Sequence, residues 1–414
     1  MKVIHLNYSD IQGGAARAAY RIHQGLLLAN IDSQVVVNYK LSDDWRVVGP
    51  KSALGRMENG LRPYGGAMLG RLLKTGNRIL HSPSVLPSRW PGRIKRLRKD
   101  VIHLHWVCGE MLSIAEIGRM QGPVVWTLHD MWAFCGAEHC TEDSRWREGY
   151  TRSNRPSYES AFDLNRWTWE RKRKYWKRPY HIVTPSHWLK QCVQESALMH
   201  DWPVTVVPNS INTEIWAPVD RFLARRLLAL PLDVPLVLFG AMSGLQSHIK
   251  GFDLLRDALK HLHGTLTDLQ IAIFGQNAPQ EHEDIDYPVH YLGHLYDNLT
   301  LRILYSAADV MVIPSRLDNL PNTGVESLAC GTPVVAFDTC GLPDIVSHMK
   351  NGYLAQPFDT EDLAAGIQWV LADSSRHAEL SSNARATAVT RFSEGVVIPQ
   401  YLAVYKKAIM AGAT

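Results

Sequence analysis

Short apolar strands recur along the chain, each running into a polar or glycine-containing turn and then a helical stretch. Val3–Tyr8 ends in Ser9-Asp10-Ile11-Gln12-Gly13-Gly14, and Ala15-Ala16-Arg17-Ala18-Ala19 opens a helix. This is the strand–glycine loop–helix opening of a doubly wound sheet. Ser33–Asn38, Val101–Trp106, Val124–Leu128, Ile182–Thr184 and Val204–Val207 continue the alternation. It restarts at Leu236–Phe239 and runs on through Gln270–Phe274, Asp309–Ile313 and Val334–Phe337. A pattern played through twice predicts an α/β protein with two Rossmann-like, doubly wound domains, and 414 residues suffice for two cores. The boundary is expected near Ala217-Pro218, giving domains over 1–217 and 218–392, with a last helix at about Glu394–Ile409 within 393–414.

No window offers the ~18 uninterrupted apolar residues of a membrane span. The start, Met1-Lys2-Val3-Ile4-His5, runs directly into a strand, so no signal peptide is expected. Six scattered cysteines fit a reduced, cytoplasmic setting. The net charge of +4 conceals an asymmetry, for residues 1–218 hold 30 Lys+Arg against 19 Asp+Glu. Residues 64–99 alone carry nine Lys/Arg and no acid, interleaved with Leu, Ile and Trp90. Such a stretch is either a solvated surface or a segment that rests on an anionic membrane face. No nucleic-acid motif accompanies it, so nucleic acid is not expected as a partner.

Several places could carry chemistry. Pro314-Ser315-Arg316-Leu317-Asp318-Asn319-Leu320-Pro321-Asn322-Thr323-Gly324-Val325-Glu326 joins a buried strand to a helix, which places backbone N–H groups where an anion can sit. Asp318 is expected in the loop and Glu326 on the first helical turn; a local turn and a favourable helix dipole would also account for them. Lys250, at a loop-to-helix junction beside Gly251, could reach a diphosphate. Gly13 and Gly14 would let backbone approach a phosphate or sugar, though glycines serve any tight turn. His129-Asp130 follow a strand at the edge where ligands of open α/β sheets bind. His103 and His105 share one face of a strand, but no third metal ligand is specified by spacing, and Cys135, His139 and Cys140 lack a fourth, so no metal site is expected. In the helix expected over Arg166–Arg178, Trp169, Arg173 and Trp176 fall on one face, the tryptophans packing inward and the cations solvated.

The central stretch, with Asp318 and Glu326 separated by seven positions, resembles the acidic signature of the retaining GT-B glycosyltransferases of family four. Its Ser-Arg-Leu-Asp-Asn-Leu-Pro wording is closer to a subgroup resembling colanic-acid-type exopolysaccharide transferases. The resemblance spans nearly the whole chain and is strongest from about Val204 onward. It implies two Rossmann-like domains facing a cleft, with the last helix crossing back onto the first. It also implies a nucleotide-sugar donor with no further cofactor. Donor contacts would come from Gly13, Gly14, Lys250, Gly293, Asp318, Asn319, Leu320, Pro321, Asn322, Thr323 and Glu326. Of these, Glu326 would hold the ribose hydroxyls, Tyr291-Leu292-Gly293 would meet the base through backbone, and Lys250 would meet the diphosphate. Asp318 and His129 would orient the sugar, which makes His129, Lys250 and Asp318 the catalytic set. The family's usual first acid is Glu where this chain has Asp318, and its usual Arg is replaced by Leu245.

The expected activity is therefore sugar transfer to a glycan or lipid-linked glycan in surface polysaccharide synthesis, without a divalent ion, in the cytoplasm at the inner face of a membrane. Two rivals remain open on the sequence. A sugar-nucleotide epimerase of the same architecture needs no acceptor. A basic scaffold on membrane or nucleic acid needs no Lys250, Asp318 and Glu326.

Overall fold

The computed structural model describes residues 1–240, 247–279 and 285–413. Two compact units result: Met1–Val207 with Ile398–Thr414, and Pro208–Val397. The division falls earlier than the expected Ala217-Pro218 step. Ile211 and Trp216 are buried in the core of the second unit, and Arg385 of that unit donates to the Trp216 carbonyl. The last helix, Glu394–Ala413, is longer than expected, and its residues from Ile398 on group with the first unit.

In the first unit the strands are β1 (Lys2–Ser9), β2 (Asp32–Tyr39), β3 (Val47–Val48), β4 (Leu73–Thr75), β5 (Val101–Leu104), β6 (Val124–Thr127), β7 (Glu159–Ala161), β8 (His181–Thr184) and β9 (Val204–Val206). Seven form a parallel sheet in the order β3-β2-β1-β5-β6-β8-β9, while β4 and β7 make a separate antiparallel pair. Strands such as Val101–Leu104 and Val124–Thr127 are buried at every position, as a sheet covered on both faces requires. Order reverses between β1 and β5, where His5 pairs in register with His103.

The second unit repeats the design with β10 (Leu236–Gly240), β11 (Gln270–Phe274), β12 (Val289–Tyr291), β13 (Val310–Ile313), β14 (Val334–Phe337) and β15 (Gly352–Ala355). All are parallel, in the order β12-β11-β10-β13-β14-β15, so order reverses between β10 and β13. Ligands of such sheets collect beyond the carboxyl ends of the strands at that reversal.

The helix Leu164–Tyr175 corrects one expectation. Trp169 and Trp176 are buried as the spacing predicts, but so is Lys172 among the cations. Its ammonium donates to the carbonyls of Trp132, Cys135 and Gly136 and lies 3.9 Å from the Trp132 ring centroid. Burial brings its pKa down to about 7. Three carbonyls gathered at a bend explain why a cation is tolerated there.

Candidate active site

Lys250, Asp318 and Thr323 meet at the strand reversal of the second unit. They line a crevice of about 20 Å³ together with Phe239, Gly240, Ile313 and Ser315. The Lys250 ammonium sits 2.6 Å from Oδ2 of Asp318, and the Ser315 hydroxyl donates to the same oxygen at 3.2 Å. Gly251 makes this approach possible: its φ is +67°, and a side chain there would strike the Pro314 carbonyl. Arg316, beside the loop, clamps Asp253 with two bonds of 2.7 and 2.6 Å and takes no part in the crevice. Leu245 lies outside the described residues.

The loop 318–323 is pinned from behind. Asn209 donates through Nδ2 to the Leu320 carbonyl and to Oδ1 of Asn322, both at 3.1 Å. The Leu320 side chain is buried in the second unit's core, so only its backbone is available to a ligand. Asn319 is also buried. Pro321 caps the helix Asn322–Ala329 without a side-chain bond, which leaves its first N–H groups to be served otherwise. Glu326 is not on the first turn as expected but is the fifth helical residue, 3% exposed, accepting a 2.8 Å bond from the Tyr305 hydroxyl. A buried carboxylate held by a tyrosine is not a dipole ornament, since burying it costs free energy unless it has partners. Gly293 turns with φ +66°, and its carbonyl accepts from Gly275 N at 2.8 Å, joining the chain ends after β11 and β12.

In the first unit Gly13 (φ +92°) and Gly14 lead into the helix Gly14–Leu28. Asp10, which the sequence did not single out, shapes this loop: it accepts from the backbone of Ile11, Leu41 and Ser42 at 2.8–3.1 Å. His129 is half-buried just after β6. Burial pushes its pKa down to about 4, so it is neutral at pH 7. The neighbouring Asp130 is braced by Trp106 Nε1 at 3.0 Å and by His139 Nδ1 at 2.6 Å, and His139 Nε2 reaches the Ser82 hydroxyl at 2.8 Å. Ser82 is 3% exposed, so this acid–histidine–serine row is a brace, not a nucleophile. Both His139 nitrogens are thus engaged, which leaves none for zinc beside Cys135 and Cys140. The paired His103 and His105, for which no third ligand was expected, do gain one: His5 brings the ring nitrogens of all three within 4.8 Å.

Two parallel Rossmann-like sheets of this kind define the GT-B class of fold. Residues 12–215 match the family described as Glycosyltransferase Family 4, and residues 230–387 match Glycosyl transferases group 1. Between them these matches span most of the chain, and both are to glycosyltransferase domains, family 4 on the first unit and group 1 on the second. A D-inositol 3-phosphate glycosyltransferase of Xylanimonas cellulosilytica is 31% identical over 221 residues, 50% of this chain and 51% of that protein. The chain spans about half the length of the curated relatives it matches. Among solved structures, sucrose-phosphate synthase from Thermosynechococcus elongatus superposes with a TM-score of 0.67 at 17% identity, over 99% of this chain and 100% of that one. Anabaena HepE, determined with UDP-glucose, gives 0.64 at 17% identity over 98% and 100%. At such identity these two likenesses speak for the fold.

Proposed function

We propose that the protein transfers a sugar, with retention of configuration, from a nucleotide-sugar to a glycan or lipid-linked glycan acceptor in surface polysaccharide synthesis. The observation that carries this reading is the convergence of Lys250, Asp318 and the helix start at Thr323 on one crevice at the strand reversal. A departing nucleoside diphosphate needs charge stabilisation, and an ammonium beside helix N–H groups supplies it. In the transfer, the bond from the anomeric carbon to the diphosphate oxygen breaks and a bond to an acceptor hydroxyl oxygen forms. The hydroxyl proton passes to the departing diphosphate. Asp318 orients the sugar, and Glu326 holds the ribose. With Lys250 in this role no divalent ion is needed. HepE, whose structure holds UDP-glucose, lends support to a nucleotide-sugar donor of this general kind.

The reading extends to a membrane surface, over a stripe that begins before the expected 64–99 stretch and runs into it. On the helix Ala53–Gly70, Leu54, Met57, Leu61, Tyr64 and Met68 are all exposed. At 100° per residue they fall within an arc of about 80°. Just past the helix, Arg71 is exposed beside this stripe. An apolar ridge with a cation at its edge fits an anionic bilayer face, where a lipid-linked acceptor would reside. No helix among the described residues is long and apolar enough to cross a membrane.

The test of the reaction is acceptor dependence. Nucleoside diphosphate release that rises on adding acceptor and persists in EDTA supports transfer without metal. Interconversion of the donor sugar with no acceptor present would instead identify an epimerase.

A further inference from the structure

In the core of the second unit the Tyr305 hydroxyl donates to Oε2 of Glu326 at 2.8 Å. Local sequence explains the meeting. On the helix Asn298–Ala307, Leu301, Leu304 and Tyr305 recur at three-to-four spacing and are buried. They share one core with Val325, Leu328 and Ala329 of the helix that carries Glu326. The Tyr305 ring packs edge-on against Phe274, with centroids 5.7 Å apart and planes at 88°, and lies 6.1 Å from Trp216. Phe274 can lie there because Gly240 has no side chain; a Cβ at that position would strike the Phe274 ring. The Tyr305 backbone is tied as well, for Thr332 Oγ1 donates to its carbonyl at 2.6 Å. Gly240 ends β10 and Phe274 ends β11, so the row of rings stands at the carboxyl edge of the sheet.

A buried tyrosine hydroxyl needs an acceptor, but any carbonyl would serve. A carboxylate is the costliest acceptor to bury, so its presence asks for a further task. The effect of the bond on the carboxylate is geometric. The last torsion of a glutamate side chain is broad and roughly two-fold, so the backbone position alone leaves its plane loosely set. A hydroxyl carried on a packed ring favours the orientations that keep Oε2 against it. A carboxylate aligned beforehand loses less freedom when a ligand hydroxyl arrives.

We propose that Tyr305 is a positioning residue whose hydroxyl orients Glu326 toward the ribose hydroxyls, and so sets a preference for ribonucleotide over deoxyribonucleotide donors. This rests on the reading that Glu326 holds the ribose. Every group it invokes lies in the second unit.

The test is calorimetry of the full chain with UDP, GDP and ADP and with the dideoxy form of each, which lacks both ribose hydroxyls. The wild type should bind at least one ribonucleotide about tenfold or more tighter than its dideoxy form, the worth of a hydrogen bond to a charged group. Tyr305→Phe keeps the ring and its packing, and should cut that preference about threefold or more, with dideoxy affinity nearly unchanged. A residue serving stability alone would weaken both nucleotides together and leave their ratio intact. Tyr305→Phe combined with Glu326→Gln leaves no buried charge unpaired, and its preference should equal that of Glu326→Gln alone, because the hydroxyl acts through the carboxylate. An unchanged preference in folded Tyr305→Phe, or a double variant whose preference falls below that of Glu326→Gln, overturns the proposal. Glu326→Gln checks the underlying reading separately. If it leaves the wild-type preference intact, the ribose is held elsewhere and both fall; if it lowers the preference while Tyr305→Phe does not, the reading stands and the role of Tyr305 falls.

Discussion

The Lys250 ammonium and the Asp318 carboxylate are in contact at 2.6 Å, so the cation assigned to the diphosphate and the acid assigned to the sugar are already held together. A hydrogen bond to a charged group is worth about 1.5–3 kcal/mol, which makes its loss visible as tenfold or more. Asp318→Asn should therefore lower turnover at least about tenfold while leaving nucleoside diphosphate affinity nearly unchanged, because a contact to the reacting sugar acts on rate. Calorimetry and initial rates, measured separately, check this.

Glu326 should behave differently. Ribose does not change during the reaction, so Glu326→Gln should weaken free nucleoside diphosphate and whole donor alike, by about tenfold. The Tyr305 bond survives in this variant, because Gln keeps an acceptor. Equal losses of nucleotide affinity in the Asp318 and Glu326 variants would contradict the division of roles.

Acid should destabilise the first unit earlier than ordinary carboxylate titration would. Burial holds His129 at about 4, against an ordinary 6.5, so between these values the unfolded chain binds the proton that the folded chain refuses. The unfolded state then carries more protons, and stability falls as pH falls through that window. Each such imidazole contributes a slope of up to about 1.4 kcal/mol per pH unit, and His5, His103 and His105 act with the same sign. Thermal unfolding should show Tm dropping from pH 6.5 toward 4, with a shallower fall in His129→Gln. A Tm flat across that range would contradict the assignment of neutral rings.

On anionic vesicles at low salt the protein should float, and neutral vesicles should leave it in the pellet fraction. Replacing Met57 and Leu61 by Asp should abolish flotation, because both are exposed on the apolar stripe and neither belongs to a core. Flotation unaffected by that pair would place membrane contact elsewhere.

Most of the parallel strands were legible because strands buried on both faces read as short apolar runs, as in Val334–Phe337. What escaped depended on register and packing. His103 and His105 share a face by strand period, but the arrival of His5 required knowing that β1 lies beside β5 in register. Lys172 looks like its neighbours Arg171 and Arg173 in sequence; only the three carbonyls gathered by a distant turn make it the one turned inward. Glu326 was placed a turn too early because the helix already begins at Asn322, directly after Pro321, so four helical residues precede it. The apolar stripe over Leu54–Met68 begins ten residues before the basic run that drew attention and overlaps only its start, since a charge excess locates cations and not an apolar ridge.

The central claim is that Lys250, Asp318 and Glu326 build a nucleotide-sugar site, and thermal shift against a panel of nucleoside diphosphates and their sugars tests it most directly. Binding to the native state raises Tm by mass action. At least one nucleoside diphosphate should stabilise the wild type, and the shift should be largely lost in Lys250→Met and reduced in Glu326→Gln. No shift from any nucleotide, or a shift that both variants retain in full, would contradict the account.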